Sequence, residues 1–379
     1  MPVIIEFSRC AGTYSSAKFE LLLDLGYSVD VVCNCKEGNT ISDEKIKEMI
    51  GILAEKGVTV IHVPIPRKIY DLKGIFKSIK YIKEMCKKEK YVLMHCHSPI
   101  GSVVARTAAL NARKDGMKVI YTAHGFHFYK GAPKKNWIIF YPIEKLFSYV
   151  TDVLITINKE DYRFAKRNMH AKKTVYIPGV GVDVEKFKNI VCDRGLKRKE
   201  LGIKENDFLI LSGGELNSNK NHEAIIKAIA LLKNPKIHYC IAGIGDNSKY
   251  LKKLAGELNV NLHLVGYRSD IPELLKSADL FAFPSYREGL SVALMEAMAA
   301  GLPCVVSNIR GNVDLIQNNQ GGILFEPEQI SEAKAAIENL VINPQKRETM
   351  GNINFINIKK YSQKKVDNQM EYIYGLECQ

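Results

Sequence analysis

Short apolar runs and helix-spaced stretches alternate along almost the whole chain. Val3–Phe7, Val29–Cys33, Val58–Val63, Tyr91–Cys96, Val119–Ala123 and Asp152–Ile157 are runs dominated by Val, Ile and Leu. Stretches with helical spacing separate or follow them: Lys18–Leu25, Asp43–Glu55, Leu72–Lys88, Gly101–Arg113, Asn136–Tyr149 and Lys159–Met169. Continuous apolar strands joined by helices predict a parallel sheet covered on both faces. Ile177–Asp183 is then rich in Gly and Pro, and the chain stays polar to about Asn206, which reads as a linker. The alternation restarts with strands at Phe208–Ser212, Ile237–Ala242, Leu262–Val265, Leu280–Phe283, Cys304–Ser307 and Gly322–Phe325. Helical stretches Glu223–Leu232, Lys249–Leu258, Ile271–Ser277 and Val292–Ala300 lie between them, and Ser331–Leu340 and Pro344–Tyr374 close the chain. The expected division is an N-terminal domain over 1–182, a linker over 183–206, a second domain over 207–342, and C-terminal helices over 343–379 packing back toward the first domain. Two Rossmann-like, doubly wound α/β halves facing a central cleft would bind ligands in the loops after their strands.

A length of 379 residues suits two cores, and 46% hydrophobic with 25% charged residues excludes a disordered, collagenous or coiled-coil chain. Lys and Arg exceed Asp and Glu by 54 − 41 = 13, which favours anionic partners such as nucleic acid, anionic lipid or phosphorylated small molecules. The nine cysteines include no CxxC pair and fall mostly in apolar runs, so reduced thiols in a reducing compartment are expected. Met1–Arg9 has no basic segment leading into a long apolar stretch, and Trp137–Val150 is interrupted by Glu144 and Lys145. Neither a signal peptide nor a membrane span is expected.

The most informative loop follows Leu280–Phe283 and reads Pro284-Ser285-Tyr286-Arg287-Glu288-Gly289-Leu290-Ser291, with Glu296 eight positions after Glu288. Leu290 and Ser291 open a helix, and unpaired amides at such a terminus suit a diphosphate. Gly289 permits close backbone approach. A carboxylate at Glu296 can accept hydrogen bonds from two ribose hydroxyls. Isolated acids here would otherwise read as one residue complementing a helix dipole and one solvated residue.

Phe283-Pro284-Ser285, Glu288-Gly289, Glu296-Ala297 and Gly301–Val305 together resemble the signature of the retaining family 4 glycosyltransferases, which have the GT-B fold. His124–Gly131 and Tyr176–Asp183 resemble the subgroup that builds capsular and exopolysaccharide units, and the likeness spans nearly the whole chain. The resemblance implies a hexosyl transfer from a nucleotide-diphosphate sugar, UDP-linked, to a growing, lipid-linked glycan. Retention would come from same-face attack assisted by the leaving phosphate, with no metal, cofactor or protein nucleophile. It gives Glu288 the donor-sugar hydroxyls, Gly289, Leu290 and Ser291 the phosphates, and Glu296 the ribose. Lys220, in Gly213–Asn221, matches a lysine that neutralises the diphosphate, where the leaving group gathers charge. Gly214 and Arg268 match donor-binding stretches, and His124 matches a histidine near the donor sugar; His127 is a less favoured alternative. The family usually carries arginine where Glu215 stands, so either Glu215 turns away, or it pairs with a nearby lysine, or the leaving group is stabilised differently.

Other features leave two readings open. Gly243, in Ala242-Gly243-Ile244-Gly245, fits close ligand approach or a tight turn. His95 and His97 fit packing or cleft lining. The loop Ser8–Ser16 holds a single glycine, Gly12, unlike many relatives. Arg67–Lys90 carries nine Lys/Arg and three Asp/Glu, with Leu72, Ile75, Phe76, Ile79, Ile82 and Cys86 as an apolar stripe. It is either a packed helix with a solvated face or a contact for anionic lipid, which would put the protein in the cytoplasm, peripheral at the inner membrane face. No nucleic-acid motif accompanies the charge, and GxGxxG is missing after the first strand. A nucleotide-sugar epimerase of the same fold and a non-catalytic sugar-binding subunit remain the rivals.

Overall fold

The structure, a computed structural model, describes residues 2–6, 17–36, 43–66 and 70–377. The loop Ser8–Ser16 and the first residues of the basic stretch, 67–69, lie outside them. The chain forms two units, Met1–Pro178 with Val366–Gln379, and Gly179–Lys365.

The first unit runs β1 (Pro2–Glu6), α1 (Ala17–Asp24), β2 (Ser28–Cys33), α2 (Asp43–Glu55), β3 (Val58–His62), α3 (Leu72–Lys88), β4 (Leu93–Cys96), α4 (Pro99–Ala108), α5 (Leu110–Lys114), β5 (Lys118–Ala123), α6 (Lys134–Ser148), β6 (Val153–Thr156), α7 (Lys159–Asn168) and β7 (Lys173–Tyr176). Its sheet is parallel, in the order β3-β2-β1-β4-β5-β6-β7. Alternate strand residues feed opposite faces: Ile120 and Val153 join α1 and α2 in one core, while Val119, Tyr121 and Leu154 join α3, α4, α6 and α7 in the other.

The second unit continues with α8 (Val184–Asn189), α9 (Arg194–Glu200), β8 (Phe208–Gly213), α10 (His222–Leu232), β9 (Ile237–Ala242), α11 (Ser248–Glu257), β10 (Asn261–Gly266), α12 (Ile271–Ser277), β11 (Leu280–Phe283), α13 (Val292–Ala299), β12 (Cys304–Ser307), α14 (Asn312–Leu315), β13 (Gly322–Phe325), α15 (Ile330–Ile342), α16 (Pro344–Ile358) and α17 (Gln363–Glu377). Its sheet, also parallel, runs β10-β9-β8-β11-β12-β13. The strand order reverses between β8 and β11, so their carboxyl ends flank the crevice where doubly wound sheets bind ligands.

The boundaries differ from those expected. The stretch 183–206 belongs to the second unit, where Val184 and Phe187 are buried and Arg198 pairs with Asp279. Its few buried anchors lie among polar residues, which is why it resembles a linker. Of the C-terminal helices, α16 belongs to the second unit: Asn354 donates to the Leu302 and Gly321 carbonyls. The first unit resumes at Val366 within α17, whose Val366, Met370, Ile373 and Tyr374 complete its core. In α3, Ile75, Ile79, Ile82 and Cys86 turn inward, but Leu72 and Phe76 do not join the stripe; Phe76 is 69% exposed.

Candidate active site

The second unit gathers Lys220 and Glu288 at its switch point. A 3₁₀ turn, Ser218–Lys220, follows β8, and the Asn217 side chain caps it by accepting from the Lys220 amide. Lys220 Nζ lies 2.7 Å from Glu288 Oε1, with both side chains largely buried. The ammonium also sits over the Phe283 ring, 4.8 Å from its centroid.

Two asparagines clasp the loops that carry this pair. Asn219 Nδ2 donates to the Arg287 carbonyl at 3.0 Å, and the Tyr286 amide donates to the Asn219 carbonyl at 2.8 Å. Asn221, buried and left-handed at φ 50°, donates to the carbonyls of Pro284 and Pro327. Below them His222 Nδ1 meets the Tyr239 hydroxyl at 3.0 Å, which meets Ser212 Oγ at 2.8 Å. Burial pushes the His222 pKa down to about 3, so this support stays neutral. Sequence reading missed Asn219, Asn221 and His222. Only the Asn-Lys-Asn triplet hinted at them, because their partners lie far along the chain.

Gly214 takes φ 142°, and a Cβ there would press on Lys220 Cε at 3.1 Å. A Cβ on Gly243 would fall 1.8 Å from the Gly214 carbonyl oxygen. Close packing of the two loops therefore explains Gly243. Gly311 is similarly required, since its Cβ would sit 2.2 Å from the Gly289 carbonyl oxygen. Glu215 is exposed.

Helix α13 begins at Val292, as the helical spacing predicts. Ser291 is its N-cap, accepting from the Leu294 amide at 3.4 Å, and Leu290 is buried beside Gly179. Glu296 lies half-buried on α13; burial pushes its pKa up to about 7, against the pull of Lys186. Arg268, expected among the donor-binding residues, is paired within the second unit. Its guanidinium is held by Asp270 through Nε at 2.7 Å and Nη2 at 2.6 Å, and by Glu200 at 2.6 Å. The side chain thus ties α9 to the loop after β10.

In the first unit, His124 follows β5 and His97 follows β4. Their Nε2 and Nδ1 atoms lie 3.1 Å apart. Desolvation lowers the His124 pKa; the ring is exposed, so water moderates the shift, and the imidazole is neutral at neutral pH. His95 is buried, spanning the Tyr374 hydroxyl and Thr122 Oγ1 at 2.8 Å each. His127 stacks on Phe140 with centroids 4.6 Å apart, a packing role. Among the described residues no three His, Cys, Asp or Glu side chains form a metal-holding group, and no helix is long and apolar enough to cross a membrane.

Comparison with known proteins gives two family matches: "Glycosyl transferase 4-like" over residues 12–158 and "Glycosyl transferases group 1" over residues 193–355. EpsD of Bacillus subtilis (strain 168), whose name assigns it to the glycosyltransferases without a stated substrate, is 34% identical over 94% of this chain and 91% of its own. A UDP-Gal:alpha-D-GlcNAc-diphosphoundecaprenol alpha-1,3-galactosyltransferase of Escherichia coli is 32% identical over 86% of this chain and 82% of its own. Anabaena HepE, solved with UDP-glucose, shares the fold at a TM-score of 0.77 and 20% identity, with 99% of each chain covered.

Proposed function

The chain belongs to the family 4 glycosyltransferases of the GT-B fold, and from that membership we propose that it moves a hexosyl unit from a UDP-sugar to a lipid-linked, growing glycan. The reaction retains the anomeric configuration and serves exopolysaccharide or capsule assembly. The observation that carries this reading is the Lys220–Glu288 pair, set at the strand-order reversal and beside the start of α13.

Each member of that pair has a task in the transfer. A diphosphate draws Lys220 away from Glu288, because two phosphate charges outweigh one carboxylate. Glu288 is then released to accept hydrogen bonds from the sugar hydroxyls. The amides of Gly289, Leu290 and Ser291 face the diphosphate at the dipole-positive start of α13. As the sugar–phosphate bond breaks, negative charge gathers on the leaving UDP, and Lys220 stabilises it there more than in the ground state. The leaving phosphate takes the acceptor proton on the face it departs from. Glu296 holds the ribose, and His124, in the first unit, matches the family's histidine near the donor sugar.

A lipid-linked acceptor brings the protein to the membrane surface as a peripheral enzyme on the cytoplasmic side. Lys73, Lys77, Lys80 and Lys87, all exposed on α3, supply charge for that contact. A panel of UDP-sugars offered with polyprenyl-diphosphate sugars, read by mass spectrometry, tests the proposal. Acceptor-dependent gain of one hexose supports it, and turnover without any acceptor product overturns it.

A further inference from the structure

The outward face of α6 is apolar where a surface helix is ordinarily polar. Ile138, Pro142, Leu146 and Tyr149 recur at spacings of four, four and three, with Ile139 beside them, so they fall on one arc about 100° wide. All are exposed, Ile138 at 74% and Leu146 at 66%. The opposite face already has its core, through Trp137, Phe140 and Tyr141. The single acid of the helix, Glu144, is buried, accepting from Arg106 Nη2 at 3.1 Å and from the Tyr121 hydroxyl at 2.9 Å. No negative charge therefore lies on the outward stripe, and Lys134 and Lys135 begin it.

Helices α3 and α7 pack into the same core layer as α6, so all three cover one face of the first unit's sheet. Both add positive charge there: α3 through Lys73, Lys77 and Lys80, and α7 through exposed Arg163, Lys166 and Arg167. Leu72 and Phe76 are exposed apolar residues of α3 as well. An apolar stripe that starts at Lys134 and Lys135, on a sheet face whose other helices are basic, is complementary to an anionic bilayer, whose headgroups take the charge and whose acyl boundary takes the stripe.

From this geometry we infer that α6 is an interfacial anchor, lying in the membrane plane with Ile138, Leu146 and Tyr149 inserted among the headgroups. The inference rests on the membrane reading above and adds to it that binding is only partly electrostatic. Charge alone is screened as the Debye length falls to about 3 Å at ~1 M salt, whereas burial of apolar side chains is not.

The test is flotation with vesicles of phosphatidylcholine containing about one third phosphatidylglycerol, at ~0.1 M and ~1 M salt. Wild type is expected to float at low salt and to keep a measurable part of its binding at high salt. The double variant Ile138→Ser, Leu146→Ser is expected to partition at least about tenfold less at both. A second readout places a tryptophan on the stripe, Ile138→Trp in a Trp137→Phe background, because Trp137 itself faces the core; brominated phosphatidylcholine should quench the introduced ring. Wild type that floats at low salt and is fully released at high salt, with no quenching of the introduced ring, overturns the anchor while leaving electrostatic membrane binding standing. Failure to bind vesicles at either salt, or self-association with no lipid binding, overturns both.

Discussion

Lys220 and Glu288 occupy each other at 2.7 Å, so donor binding has to separate them. Glu288→Gln removes the carboxylate that accepts from the sugar and should lower transfer about ten- to a hundredfold, the scale of one charge-assisted hydrogen bond. The same change frees Lys220, so UDP should bind the variant at least as tightly as wild type; calorimetry that shows UDP binding falling in step with transfer would contradict the pairing. Lys220→Ala should weaken UDP far more than uridine, with a loss that shrinks as salt rises, because a cation–phosphate contact is screened. Equal losses for uridine and UDP would remove Lys220 from the phosphate site. Glu296 supplies a pH test. Its pKa of about 7 means that the free enzyme carries a protonated carboxyl below that pH, while two ribose hydroxyls need the ionised form as acceptor. Affinity for a UDP-sugar should therefore fall about tenfold from pH 8 to pH 6, and Glu296→Gln should flatten that dependence. A wild-type profile as flat as the variant's would place the ribose elsewhere. Glu288, Lys220 and Glu296 stood out in the sequence as candidates through the motifs they lie in, but the Lys220–Glu288 contact did not, because its partners lie 68 positions apart. The pairing of Arg268 with Glu200 was not legible either, because these two also lie 68 positions apart.

At the scale of elements, the site depends on two loops joined by the Lys220–Glu288 pair, by asparagine side chains and by one backbone bond. Asn221 combines a left-handed backbone with two hydrogen bonds into the loops after β11 and β13. Asn221→Ala loses both bonds, strands two carbonyls and keeps an unfavourable φ. It should cost about 2–4 kcal/mol of stability, measured by chemical denaturation of the second unit. Asn221→Gly relieves the φ and should recover part of that loss; equal stability of all three proteins would show that the clasp holds nothing. Strands were legible throughout, since continuous Val, Ile and Leu runs have one common use in a parallel sheet. Helix faces were less so. Leu72 and Phe76 share the spacing of the buried α3 positions yet lie at the edge of that arc, and apolar spacing cannot distinguish a face turned to the core from one turned to a bilayer.

The whole molecule is two doubly wound units with matching strand order, and the alternation of apolar runs and helices was enough to read both. The passage between units was not legible, because it depends on a few anchors: Val184 and Phe187 for the second unit, and Val366, Met370, Ile373 and Tyr374 for the return of the chain to the first. Tyr374 also reaches His95, so the last helix is part of the layer that carries His97 and His124. The account's central claim is that this molecule transfers a sugar from a nucleotide diphosphate to an acceptor. The direct measurement is UDP release and product mass for a panel of UDP-sugars, with and without a polyprenyl-diphosphate sugar, in wild type and Glu288→Gln. The account predicts UDP release that requires the acceptor, a product heavier by one hexosyl unit with the donor's anomeric configuration, and loss of both in the variant. An epimerised donor without acceptor, an inverted product, or undiminished transfer by Glu288→Gln would contradict it.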